Sequence, residues 1–162
     1  MEDQVRLNAN PKGQQAEELE QYLRNMLKTQ LFAVLSTVGG DQPYASLVAF
    51  ATSNDLSRIY FTTSRMTRKF SNLEGNPKSS MLIDNRSNQI GDLRKAAAAT
   101  ALGKVKELSL DQEEDFQNIF LKKHSHFADF ISSPNTAKIC LLVDRYYVVS
   151  RFQNVFEFKV KP

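Results

Sequence analysis

Residues 60–77 read YFTTSRMTRKFSNLEGNP. Their first part completes a strand that the aromatic and β-branched residues of Arg58 to Thr63 predict. The strand runs into a corner of hydroxyls, Thr62, Thr63 and Ser64. A helix is expected from about Thr67 to Glu74, capped by Thr67 and stopped by Gly75-Asn76-Pro77. Arg68 and Lys69 fall in its first turn, where cations oppose the helix macrodipole. A bound phosphate would compensate, because exposed N–H groups, hydroxyls and paired cations all favour a dianion. Solvated surface cations beside an ordinary strand end would fit the same residues, so local chemistry leaves both readings open.

Working outward, four runs rich in strand formers are expected: Leu31 to Val38, Tyr44 to Thr52, Arg58 to Thr63 and Ser79 to Asp84. GGDQP joins the first two with hairpin chemistry, and SNDLS makes a second turn. Lys95 to Leu108 is expected to add a strand: four alanines favour helix, but the alternation around Val105 and the break at Gly103 favour strand. An amphipathic helix is expected over Gln15 to about Leu27, from the spacing of Leu19, Tyr22, Leu23, Met26 and Leu27. Ser109 and Gln112 form a capping-box signature before a second helix, whose apolar face takes Leu110, Phe116, Ile119, Phe120 and Leu121. A short helix over Phe127 to Ile131 ends at SSPN. The chain closes with two strands, KICLLVDRYYVVSRF and NVFEFKV, bent apart near Gln153. Six to seven strands with no strand-helix alternation predict a mainly β fold, an antiparallel β-barrel with flanking helices.

The 162 residues suit one domain over 1–162, with 1–12 as a tail. A hydrophobic fraction of 41% and a charged fraction of 24% are ordinary for a folded globular chain and exclude a low-complexity one. Net charge is +3 with the lysines interspersed among acids, which argues against nucleic acid as a partner. Cys140 lies in ICLLV as a core residue without a disulfide partner. That, the absence of a secretory pattern over residues 1–30 and of any run near the roughly 18 apolar residues of a membrane span, leads to the expectation of a cytoplasmic protein. His124 and His126 in KKHSH read as an exposed helix junction beside Lys122 and Lys123, and two histidines fall short of a zinc site. Phe127, Phe130, Tyr146, Tyr147, Phe152, Phe156 and Phe158 read mostly as core or interface.

Thr67-Arg68-Lys69 followed by a short helix and Asn76-Pro77 resembles the phosphate-binding segment of the pyridoxamine 5′-phosphate oxidase family. QPYASLVAF at Gln42 to Phe50 resembles that family's second strand, at matching spacing. The resemblance covers about residues 30–108 and implies a split β-barrel that binds FMN, with deazaflavin and haem as alternatives among related barrels, His124 and His126 being the candidate axial ligands for haem. Carried over residue by residue, it implies that Thr62, Thr63, Arg68 and Lys69 hold the phosphate region, with Ser64 close by, and that Ser46, Leu47, Val48 and Ala49 lie along the flavin. It also implies a homodimer with the flavin at the subunit boundary, and electron transfer from a nicotinamide nucleotide to a small acceptor. No catalytic side chain is implied. Four departures stand out: Ala51 replaces a basic substrate residue, Ser46 an Arg and Ala98 a flavin-contacting Gln, and the end RFQNVFEFKVKP lacks the oxidase's Arg-Leu-His-Asp-Arg run. The chain also has no Trp, so oxidation of pyridoxamine phosphate itself is not expected.

Overall fold

The computed structural model describes residues 12–150 and 154–161. The expected tail, apart from Lys12, and the bend near Gln153 lie outside them. The strands are β1 (Phe32–Gly39), β2 (Gln42–Thr52), β3 (Arg58–Ser64), β4 (Lys78–Asp84), β5 (Ala97–Glu107), β6 (Thr136–Ser150) and β7 (Asn154–Lys159). The helices are α1 (Gln14–Thr29), α2 (Arg68–Gly75), α3 (Asp92–Lys95), α4 (Glu113–Phe116) and α5 (Ala128–Ser132). In the sheet the order is β3-β2-β1-β4-β5-β6-β7, all antiparallel, and β3 also pairs with β6. Six strands thus close a barrel, and β7 extends β6 beyond it.

Closure follows from chemistry spread along the chain. Gly40, at φ 64°, makes the tight β1–β2 hairpin. At Gly103 the β5–β6 register shifts, and any Cβ there would collide with the Leu142 carbonyl. Alternation sends Phe50, Ile59, Phe61 and Leu141 into the barrel, where α1 adds Leu23, Met26 and Leu27. The alanines of β5 resolve as strand: Ala97, Ala99 and Ala101 point inward and are buried, their small side chains leaving room for Tyr146. On the opposite face Ala49, Ala51, Tyr60 and Cys140 point outward and form a second apolar cluster with Phe116, Phe120 and Ile131. Burial there pushes the Cys140 thiol up to about 11, so it is an inert packing group.

The segment after β5 departs from a single helix. Leu110 to Gln112 form a 3₁₀ turn, α4 lasts one turn, and Gln117–Leu121 widen into a π turn. Leu110, expected on the apolar face, is exposed because the helical phase starts only after it. Among the described residues no helix is long and apolar enough to cross a membrane.

Candidate functional site

β2 and β3 pair only where Phe50, Ala51 and Thr52 meet Phe61, Tyr60 and Ile59. Beyond Phe50 the two strands part: β2 stays on β1, while β3 stays on β6 as far as Ser64. The split is an open groove of about 340 Å³. Leu47, Val48 and Ala49 form its floor, Thr62, Thr63, Ser64, Thr67 and Lys69 one end, and Phe32, Phe127 and Phe130 its apolar walls. Along β2 the edge facing the split carries backbone polar groups that β3 does not take up.

At the polar end, β3 turns directly into α2. Thr67 caps the helix by accepting the Phe70 N–H at 3.4 Å, and its own hydroxyl bonds the Ser64 carbonyl at 2.9 Å. The Thr63 and Thr67 hydroxyls lie 3.0 Å apart, and Thr62 donates to the Ala137 carbonyl at 2.9 Å. Thr62, Thr63 and Thr67 therefore build the corner. Ser64 Oγ accepts the Met66 N–H at 3.2 Å, which leaves its own proton to donate outward. The first N–H groups of α2 have no intrahelical acceptor, and α2 has no acid in its first turn. Among the described residues neither Arg68 nor Lys69 makes an ion pair. Arg65 behaves differently: it forks onto Glu107 and also donates to the Pro134 carbonyl, locking the corner to β5 and to the loop before β6.

Seven of the nine residues singled out from the sequence come together: Leu47, Val48, Ala49, Thr62, Thr63, Ser64 and Lys69. Ser46 and Arg68 do not line the groove. Ser46 lies opposite Leu35 on the inward face of β2, its buried hydroxyl without a partner. Arg68 lies over the Tyr44 ring, 5.5 Å from the centroid. Sequence reasoning left out Phe32, and it placed Phe127 and Phe130 in core or interface. Only the fold brings these three to the groove, because β1 and the segment before β6 are remote from α2 in the chain. Tyr146, by contrast, is core, and Phe152 lies outside the described residues.

His124 corrects an expectation. It is 2% exposed, with Nε2 at 2.8 Å from the Phe50 carbonyl, whereas His126 is exposed as expected. The reason is helical spacing: His124 follows Phe120 by four residues, its N–H donates to the Phe120 carbonyl at 2.8 Å, and its ring therefore lies on the buried face that Phe120 occupies. Burial, then the charges of Lys123 and His126, hold His124 below the usual histidine range, although its bond to Phe50 opposes them. Lys123 donates to the Leu27 carbonyl at 2.9 Å, and burial pulls it down to about 8. Ala51 is sealed under Phe116 and Phe120, so that end of β2 offers no room for a substrate-binding cation.

Among curated proteins nothing matches the chain. Solved structures share its fold at low identity. A haem-binding protein from Mycobacterium smegmatis is 19% identical with a TM-score of 0.75, over 84% of this chain and 55% of that one. The chain thus spans just over half of that protein. A protein from Clostridium acetobutylicum related to general stress protein 26 of B. subtilis, of the pyridoxinephosphate oxidase family, is 14% identical with a TM-score of 0.70, over 89% and 96%. A FAD-binding protein from Mesorhizobium loti is 15% identical with a TM-score of 0.64, over 80% and 90%. The family profile described as pyridoxamine 5′-phosphate oxidase matches residues 19–149. With a six-stranded closed barrel, a split between β2 and β3 and this match over most of its length, the chain belongs to the pyridoxamine 5′-phosphate oxidase family.

Proposed function

We propose that the groove between β2 and β3 binds FMN, and that the protein is a flavin-dependent oxidoreductase passing electrons from a nicotinamide nucleotide to a small acceptor. One observation carries this: a single groove has a cation and free donors at one end and an apolar floor at the other. The residues fit the cofactor's two halves. Lys69, the outward-donating Ser64 hydroxyl and the first N–H groups of α2 suit a phosphate dianion. Leu47 and Ala49 suit the face of a flat ring, and the unpaired edge of β2 suits its polar rim. Bound flavin would supply hydride and single-electron chemistry, so the chain's own task is to orient it and keep water away.

Phe32 and Leu47 are 54% and 67% exposed, a large apolar surface beside a half-open groove. In this proposal a second copy covers it, giving a homodimer whose partner completes each site. The buried Ala51 speaks against pyridoxamine phosphate as substrate. Haem and deazaflavin remain the alternatives, and flavin is preferred over haem because His124 is engaged with the Phe50 carbonyl. The absorption spectrum of the purified protein, followed by a fluorescence titration with added FMN, tests the reading. Oxidised-flavin bands or saturable quenching support it. A Soret band, or no quenching by a colourless protein, overturns it.

A further inference from the structure

We propose that His124 is a positioning residue of the groove and that its protonation loosens the aromatic wall, so that a flavin ring is held near neutral pH and released in acid. The inference rests on the flavin reading and concerns the regulation of that same site. Phe127 and Phe130 stand on residues 125–132, a 3₁₀ turn followed by the five residues of α5. So short a helical segment does not hold itself in place. Ile131, buried in the second apolar cluster, anchors its far end, and its near end is fastened by His124, whose Nε2 meets the carbonyl of Phe50, the residue next to Ala49 on the groove floor. At the Phe127 end this hydrogen bond joins wall to floor. The imidazole also packs between Phe120, at 4.9 Å between centroids, and Phe127, at 5.8 Å.

A carbonyl only accepts, so the neutral ring carries its proton on Nε2, and acid adds the second at Nδ1. Among the described residues no acceptor is bonded to Nδ1. Among the described residues the charges that act on the ring are those of Lys123 and His126, and its other neighbours are the Phe50 carbonyl and the rings of Phe120 and Phe127. Lys123 is itself fixed, with Nζ on the Leu27 carbonyl and 4.0 Å from the Phe50 ring centroid. An imidazolium here would be buried beside a cation, and among the described residues no carboxylate is bonded to it. Release of the wall returns His124 to water, where it titrates near about 6.5. Protons thus bind the loosened form more strongly, and acid favours it.

Riboflavin is the probe, because it carries the ring without a phosphate; FMN's own phosphate, titrating near about 6, would create an acid limb of its own. Fluorescence titrations compare wild type with H124Q, whose amide can make the same bond to Phe50 without titrating. Between about pH 7 and about pH 5, wild-type affinity should fall about tenfold, while H124Q changes by less than about twofold. H126Q should keep the wild-type profile. A flat wild-type profile, a limb retained in H124Q or a limb lost in H126Q would each overturn the proposal. Hydrogen exchange without flavin reads the segment directly: protection of residues 125–132 should drop in acid in wild type but not in H124Q, and unchanged wild-type protection overturns the proposal. Should H124Q fail to fold by circular dichroism, the His124 proton resonance of wild type decides. A midpoint coinciding with the loss of protection supports the role, and a different one overturns it. Absence of riboflavin and FMN binding at every pH would instead count against the flavin reading, leaving the exchange data to judge His124.

Discussion

The Arg68 guanidinium lies over the Tyr44 ring, 5.5 Å from its centroid, while the neighbouring Lys69 lines the groove. Two adjacent cations at one helix start therefore serve different ends. Arg68 makes a cation–π contact that pins α2 to β2, and Lys69 is the cation available to an anion.

Lys69→Ala should accordingly weaken FMN binding by about 1.5 to 3 kcal/mol, and Arg68→Ala by less than about 1 kcal/mol. The double variant should lose about 2 to 4 kcal/mol. Flavin fluorescence titration measures all three. A larger loss from Arg68→Ala than from Lys69→Ala would contradict this division.

Ala51→Lys should not install pyridoxamine phosphate oxidation. The site is 2% exposed under Phe116 and Phe120, so an ammonium there has no partner and little water. A buried unpaired charge costs about 3 to 5 kcal/mol. A lower melting temperature without pyridoxal phosphate formation is expected; detection of that product would refute the prediction.

The Tyr146 hydroxyl donates to the Leu56 carbonyl at 2.8 Å inside the barrel, and Leu56 holds a φ of 64° in the turn between β2 and β3. Tyr146→Phe leaves a buried acceptor unsatisfied, with an expected loss of about 1 to 3 kcal/mol in urea unfolding. Flavin affinity should be unchanged, because Tyr146 is remote from the groove lining. A neutral effect on stability would show that the turn does not depend on this bond.

Asp55 in the same turn is bonded by Ser53 and Ser57, which lower its carboxyl to about 2 from 3.8. Because the folded value is depressed, its stabilisation is present above 3.8 and disappears as pH falls through about 2. The group is mostly exposed, so the contribution should stay under about 1 kcal/mol. Asp55→Asn should be less stable than wild type at neutral pH, with the gap closing in acid. A gap that widens in acid would reverse the sign.

Much of the fold was legible because its signals are local. Hydroxyls and Thr67 mark the start of α2, Gly75-Asn76-Pro77 its end, and GGDQP the first hairpin. Strand β5 was legible through Gly103 and the alternation near Val105, despite alanines that favour helix elsewhere. Leu110 was misplaced because a capping box announces where a helix begins but not whether a 3₁₀ turn precedes it.

Within the groove the sequence by itself determined that Leu47 and Ala49 share one face of β2, and Ser46 and Val48 the other, because a strand alternates with period 2. It also determined the run of hydroxyls and cations at the start of α2. Only the tertiary structure decided which face looks inward, since that depends on β3 closing on β6 across more than seventy residues of chain. The same closure brought Phe127 and Phe130 to the groove, stacked Arg68 on Tyr44 and buried His124 against Phe50. These are contacts between distant segments, and the side chains that make them carry no local mark of their partners.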